Sequence, residues 1–86
     1  MMQAPQTIGY RIVVEGSIDP LWFACLGGLE ISAQRRPGRP AITQLKGMLA
    51  DQSALHGVLD TLFMLGLRLV FVERLPANTL HDIDSL

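Results

Sequence analysis

At 86 residues the chain has room for one domain, and a domain of that size buries only about 60 % of the surface its unfolded chain exposes, so a monomer is marginally stable. Hydrophobic residues make up 49 % and charged residues 17 %, against roughly 25 % charged in an average domain, which leaves more apolar surface than a small monomer hides and points to association. Seven basic and eight acidic residues give a net charge of -1, which excludes a general polyanion binder with a wholly basic surface and leaves a local basic patch open.

Residues 1–6 have neither a basic n-region nor an apolar h-region, so the expectation is a flexible N-terminus, no secretory signal and a cytoplasmic protein. Residues 7–15 then alternate, with Ile8, Tyr10, Ile12 and Val14 on one face, which is the period of a first strand. After Gly16, Asp19 is placed to cap a helix that Pro20 opens, and Gly27-Gly28 stops it. That short helix holds Trp22, a core or interface anchor, and Cys25, the only cysteine. Cys25 forms no intramolecular disulfide, has no zinc-ligand spacing around it, and is expected to be a buried small hydrophobe. The glycine pair lacks the further residues of a phosphate loop.

Residues 29–34 alternate as a second strand, and the Pro-Gly dipeptide at 37–38 makes a turn into a third strand over residues 41–49. Arg35, Arg36 and Arg39 put three of the seven basic residues into that turn. A solvated hairpin accounts for them, and phosphate or RNA contact is the alternative, because guanidinium forks match phosphate oxygens. Single-strand binders of this shape stack bases on sheet aromatics, and only Tyr10 and Phe71 are candidates, so nucleic acid is not the expected partner.

Asp51 caps a second helix over residues 52–65, which Gly66 ends, and residues 67–74 form an apolar fourth strand. The stretch 55–72 contains His56, Asp60 and Arg68, and a mid-bilayer charge costs about 2.5–3.5 kcal/mol, so no membrane span is expected. Residues 76–86 are a polar tail. Its His81, Asp82 and Asp84, even with His56, amount to adventitious metal binding only, and no cofactor is expected.

The order of elements is βαββαβ. The fold class expected is α+β, a single ferredoxin-like domain over residues 7–75, with a four-stranded antiparallel sheet, strands one and three central, and both helices on one face. Such a sheet leaves Val13 on the helix-free face. Strict alternation along strand four puts Leu67, Leu69 and Phe71 on one side and Val70 and Val72 on the other, an apolar edge that invites association.

On the second helix, Leu55, Val58, Leu59 and Leu62 fall within one stripe of roughly 100°, the core side. His56 and Asp60 lie on the flank as i,i+4 neighbours, able to share a hydrogen bond. They read as a surface pair. The alternative, Asp60 orienting His56 as a general base, lacks a nucleophile and an oxyanion hole, Ser53 on the same flank notwithstanding. Gly57 in the helix interior, with Phe63 and Met64 at or beyond the edge of the stripe, suggests that a partner surface approaches there.

The stretches "YRIVVEGSIDPLW", "GLEI" and "LKGMLADQSALHGVLDTLFMLGLRLVFVERL" resemble a family of short bacterial proteins of unassigned function with an Asp-Gln-x-x-Leu-His-Gly helix motif, here Asp51 to Gly57. The resemblance spans residues 10–75 and implies bacterial origin and one compact domain, without catalytic residues. The function expected is therefore a non-enzymatic, self-associating interaction or regulatory module, a dimer first of all, with Phe63, Met64, Val70, Phe71 and Val72 at its interface. A ligand sensor of the ACT type, with a pocket at the subunit junction near residues 16–22, and weak phosphate or RNA binding through Arg35, Arg36 and Arg39 are the alternatives.

Overall fold

The computed structural model describes residues 8–76, so the N-terminal residues 1–6 and the tail positions His81, Asp82 and Asp84 lie outside the described residues. The protein is α+β. Strands β1 (Ile8–Glu15), β2 (Glu30–Arg36), β3 (Arg39–Leu49) and β4 (Arg68–Leu75) form one antiparallel sheet in the order β2-β3-β1-β4. A 3-10 helix, Pro20–Leu26, joins β1 to β2, and the α-helix α1 (Gln52–Met64) joins β3 to β4.

The expected βαββαβ pattern is corrected at its first helix, which is a 3-10 helix, so three strands precede the one α-helix. Its seven residues run between Pro20 and the stop at Gly27, and Leu26 alone among them is buried. One anchor on so short a segment does not enforce the α-helical pitch, and the segment takes the tighter winding common in connectors. Asp19 still caps it, accepting from the Leu21 amide at 2.9 Å through its carboxylate and from the Trp22 amide at 2.9 Å through its carbonyl. With Leu26 as the only inward residue, Cys25 is exposed, contrary to its expected burial.

The core lies on one face of the sheet. Tyr10, Ile12 and Val14 of β1 and Leu45 and Leu49 of β3 meet Leu26, Leu29, Leu55, Val58 and Leu62 from the connections above them. Thr43 is the one buried polar residue among the described ones, and its hydroxyl donates to the Gly16 carbonyl at 2.6 Å, which removes the cost of an unsatisfied group. Gly16 also donates its amide to the Ala41 carbonyl at 2.8 Å. It does so at φ 113°, with Leu67 Cδ2 2.7 Å from where a Cβ would stand.

Helix α1 begins where the Asp51 carboxylate accepts from the Ala54 amide at 2.9 Å. It ends in a Schellman arrangement, in which Gly66 at φ 76° donates to the Phe63 carbonyl and Leu67 to the Leu62 carbonyl. Leu62 belongs to the core and Leu67 packs against it, so the reversal that launches β4 is fixed by both hydrogen bonding and packing.

Strict alternation along β4 is overturned by a β-bulge. Val13 pairs with Phe71 and Val14 with Leu69, leaving Val70 as an extra residue. Arg68 and Glu73 are five positions apart, so an unbroken strand would put one of them on the core side of the sheet. The extra residue lets both stay out, and it lets Leu69 and Val72 both pack against the core. The expected grouping is thereby corrected: Val72 shares a side with Leu69, and Phe71 lies on the other.

Two glycines make opposite demands. Gly16→Ala is expected to destabilise by more than about 1 kcal/mol, because alanine is strained at positive φ and crowded by Leu67. A Cβ at Gly57 meets nothing within 4 Å, so Gly57→Ala is expected to stabilise by about 0.5–1 kcal/mol through helix propensity alone. Urea denaturation of both variants, monitored by circular dichroism, checks the pair of signs.

Candidate functional site

On the helix-free face of the sheet, β1 and β4 lie next to each other. Their register sets Arg11 opposite Glu73 and Val13 opposite Phe71, so a charged pair and an apolar pair lie side by side. The Arg11 Nη2 donates to both Glu73 carboxylate oxygens, at 3.0 and 2.9 Å, and its guanidinium carbon lies 5.6 Å from the centre of the Phe71 ring. Val13, expected to be exposed here, is only 7 % exposed. Arg11 Nε is buried without a hydrogen-bond partner among the described residues. The Arg11–Glu73 pair is 62 residues apart in sequence, and no local pattern announces it. Its signal was the presence of both charges on the non-core side of neighbouring strands.

Beyond this clasp the edge of β4 is free among the described residues, since β1 is its only partner. Val70 is 50 % and Phe71 40 % exposed. The opposite edge, β2, exposes mostly polar side chains, among them Glu30, Ser32, Gln34 and Arg35. Phe63 and Met64 are exposed at the end of α1, as are Leu21, Trp22 and Phe23 on the 3-10 helix.

A second site lies at the β2–β3 hairpin. A cavity of about 350 Å³ is lined by Arg35, Arg36 and Arg39 together with Ser17 and Ala41. The hairpin and the loop after β1, read separately in the sequence, thus form one concavity. The link is the Gly16-to-Ala41 backbone bond, backed by the buried Thr43 hydroxyl on the Gly16 carbonyl. Arg36 is held by its own hairpin, donating Nε at 3.3 Å and Nη2 at 3.0 Å to the Pro40 carbonyl.

His56 and Asp60 are both exposed, and no hydrogen bond or ion pair joins them among the described residues. The Thr61 hydroxyl, one turn beyond Gly57, donates instead to the Gly57 carbonyl at 3.0 Å. Among the described residues no hydrogen bond or ion pair reaches His56.

Residues 9–73 match the family described as a domain of unknown function, DUF8691. The chain belongs to the DUF8691 family. The matched DUF8691 region begins at the second residue of β1 and ends at Glu73, so it takes in the Arg11–Glu73 clasp, the bulge and the arginine-lined cavity. No curated protein and no solved structure matches the chain. Among the described residues no helix is long and apolar enough to cross a membrane.

The clasp should be measurable in solution. Arg11 and Glu73 are 36 % and 42 % exposed at their side chains, so a double-mutant cycle of Arg11→Gln and Glu73→Gln is expected to give a coupling of about 0.2–1 kcal/mol that shrinks in 1 M salt. A coupling of zero at low salt would mean that the pair does not hold the face together.

Proposed function

We propose that this chain is a non-enzymatic interaction module, a ferredoxin-like domain in which a 3-10 helix stands for the first helix, and that its partner is a second copy of itself joined along β4. The observation that carries the reading is the self-complementary pattern of that free edge. About an axis between Val70 and Phe71, antiparallel pairing of two β4 strands sets Arg68 opposite the partner's Glu73 and Leu69 opposite the partner's Val72. Each pair matches in face, because the bulge keeps Arg68 and Glu73 outside and Leu69 and Val72 inside.

Charge supports the same register. The Arg68 side chain is 82 % exposed and meets Glu15 only at 3.8 Å, so its guanidinium has donors to spare. Two-fold symmetry makes the contact twice, and exposed Val70 and Phe71 lie at the axis, where desolvation contributes most. The edge of β2, polar and ending in arginines, offers no such match. The resemblance of the Asp51-to-Gly57 motif to short bacterial proteins supports a bacterial setting, with the cytoplasm proposed as the compartment.

Light scattering coupled to size-exclusion chromatography, run over a dilution series, is expected to show a dimer. Val70→Lys is expected to abolish it, since an edge lysine blocks strand pairing. Arg68→Gln removes two symmetric exposed pairs and is expected to weaken association about 3- to 30-fold. A monomer at all concentrations, or a Val70→Lys protein of unchanged mass, would sink the β4 dimer.

A further inference from the structure

The three arginines of the β2–β3 hairpin present a physical problem that the β4 dimer does not solve. Like charges gathered around one concavity repel each other, and here no carboxylate lines it. Among the described residues neither ion pair uses Arg35, Arg36 or Arg39, because Glu73 is engaged by Arg11 and Glu15 faces Arg68. We infer that this cavity binds a small phosphate-bearing molecule, its phosphoryl oxygens held by the guanidinium groups of Arg35, Arg36 and Arg39 and by the Ser17 hydroxyl.

The donors are arranged for it before any ligand arrives. The two bonds from Arg36 to the Pro40 carbonyl fix the plane of one guanidinium and leave it three of its five N–H donors. Ser17, which also lines the cavity, directly follows Gly16, whose amide and carbonyl are both bound to β3. Ala41 also lines the cavity, with a small side chain that takes up little of it. Three guanidinium forks and a hydroxyl around one cavity suit the tetrahedral oxygens of a phosphate, which accept paired N–H bonds.

Size selects the class of ligand. A volume of about 350 Å³ is at the small end of ligand sites, which span roughly 300–1,000 Å³, enough for a phosphate or pyrophosphate group with a compact substituent. Nucleic acid fits less well. The chain is net -1, Tyr10 is buried in the core, and Phe71 on the open face is already stacked against Arg11, so the sheet offers no row of aromatics for bases.

Calorimetric titration of the full chain with inorganic phosphate and with inorganic pyrophosphate tests this, alongside nitrogen-15 spectra of the arginine side chains. Saturable binding of one anion per chain is expected, with the Nε signals of Arg35, Arg36 and Arg39 moving and that of Arg68 still. Arg35→Gln and Arg39→Gln are each expected to weaken binding about tenfold, the loss of one charge-assisted contact. Ala41→Leu keeps every charge and narrows the cavity, so it is expected to weaken binding several-fold. Should that variant unfold, Ser17→Ala, which leaves both the charge and the backbone bonds in place, is expected to weaken binding several-fold. Lack of saturation with either anion would overturn the site. So would binding unchanged by Ala41→Leu in a folded protein, or by Ser17→Ala, since diffuse charge would then suffice. A single-stranded oligonucleotide that binds more tightly than pyrophosphate, and survives Ala41→Leu, would assign the hairpin to a polymer and overturn the small-molecule reading.

Discussion

Four strands present two faces, and the described residues carry cover for one. Helix α1 and the 3-10 helix supply Leu26, Leu55, Val58 and Leu62 to the same side of the sheet, and no further helix exists among the described residues to close the other. Every notable feature of the surface follows from that shortage. The uncovered face must be made tolerable to water by its own side chains, which is the task of Arg11 and Glu73 beside Val13 and Phe71. The ends and edges of the sheet, where the clasp does not reach, are left to meet other molecules.

Those meeting points are at opposite sides of the sheet. The apolar free edge is β4 and the basic hairpin belongs to β2 and β3, with β1 between them. Joining two copies along β4 would therefore build a continuous eight-stranded sheet and leave the two arginine-lined cavities near its outer ends, unobstructed. Association and anion binding need not compete, and the chemistry of the two surfaces is distinct: main-chain pairing with apolar contact at one, guanidinium forks at the other.

The features legible in the sequence are those in which backbone chemistry leaves little choice. Asp19 and Asp51 cap because orphan amides need an oxygen, and Gly66 ends α1 because its positive φ excludes most side chains. The core stripe of Leu55, Val58 and Leu62 followed from helical period alone. The errors arose where a distant contact or a count of anchors decides. The winding of the 3-10 helix and the exposure of Cys25 depend on how little that segment buries, and Val13 is buried where it sits between Gln44 of β3 and Phe71 of β4. The cavity formed because Gly16 is tied to Ala41, a bond that nothing near Ser17 announces.

The bulge was legible in principle. Leu69 to Val72 is uniformly apolar and hides its own parity, but the charges that bracket it are an odd number of residues apart, and both must be wet. That spacing also says what kind of residue Val70 is. A chain shortened by this one position would run as an uninterrupted strand with each remaining side chain on its present side. Position 70 is thus the place in this sheet where length can vary while the fold stays the same.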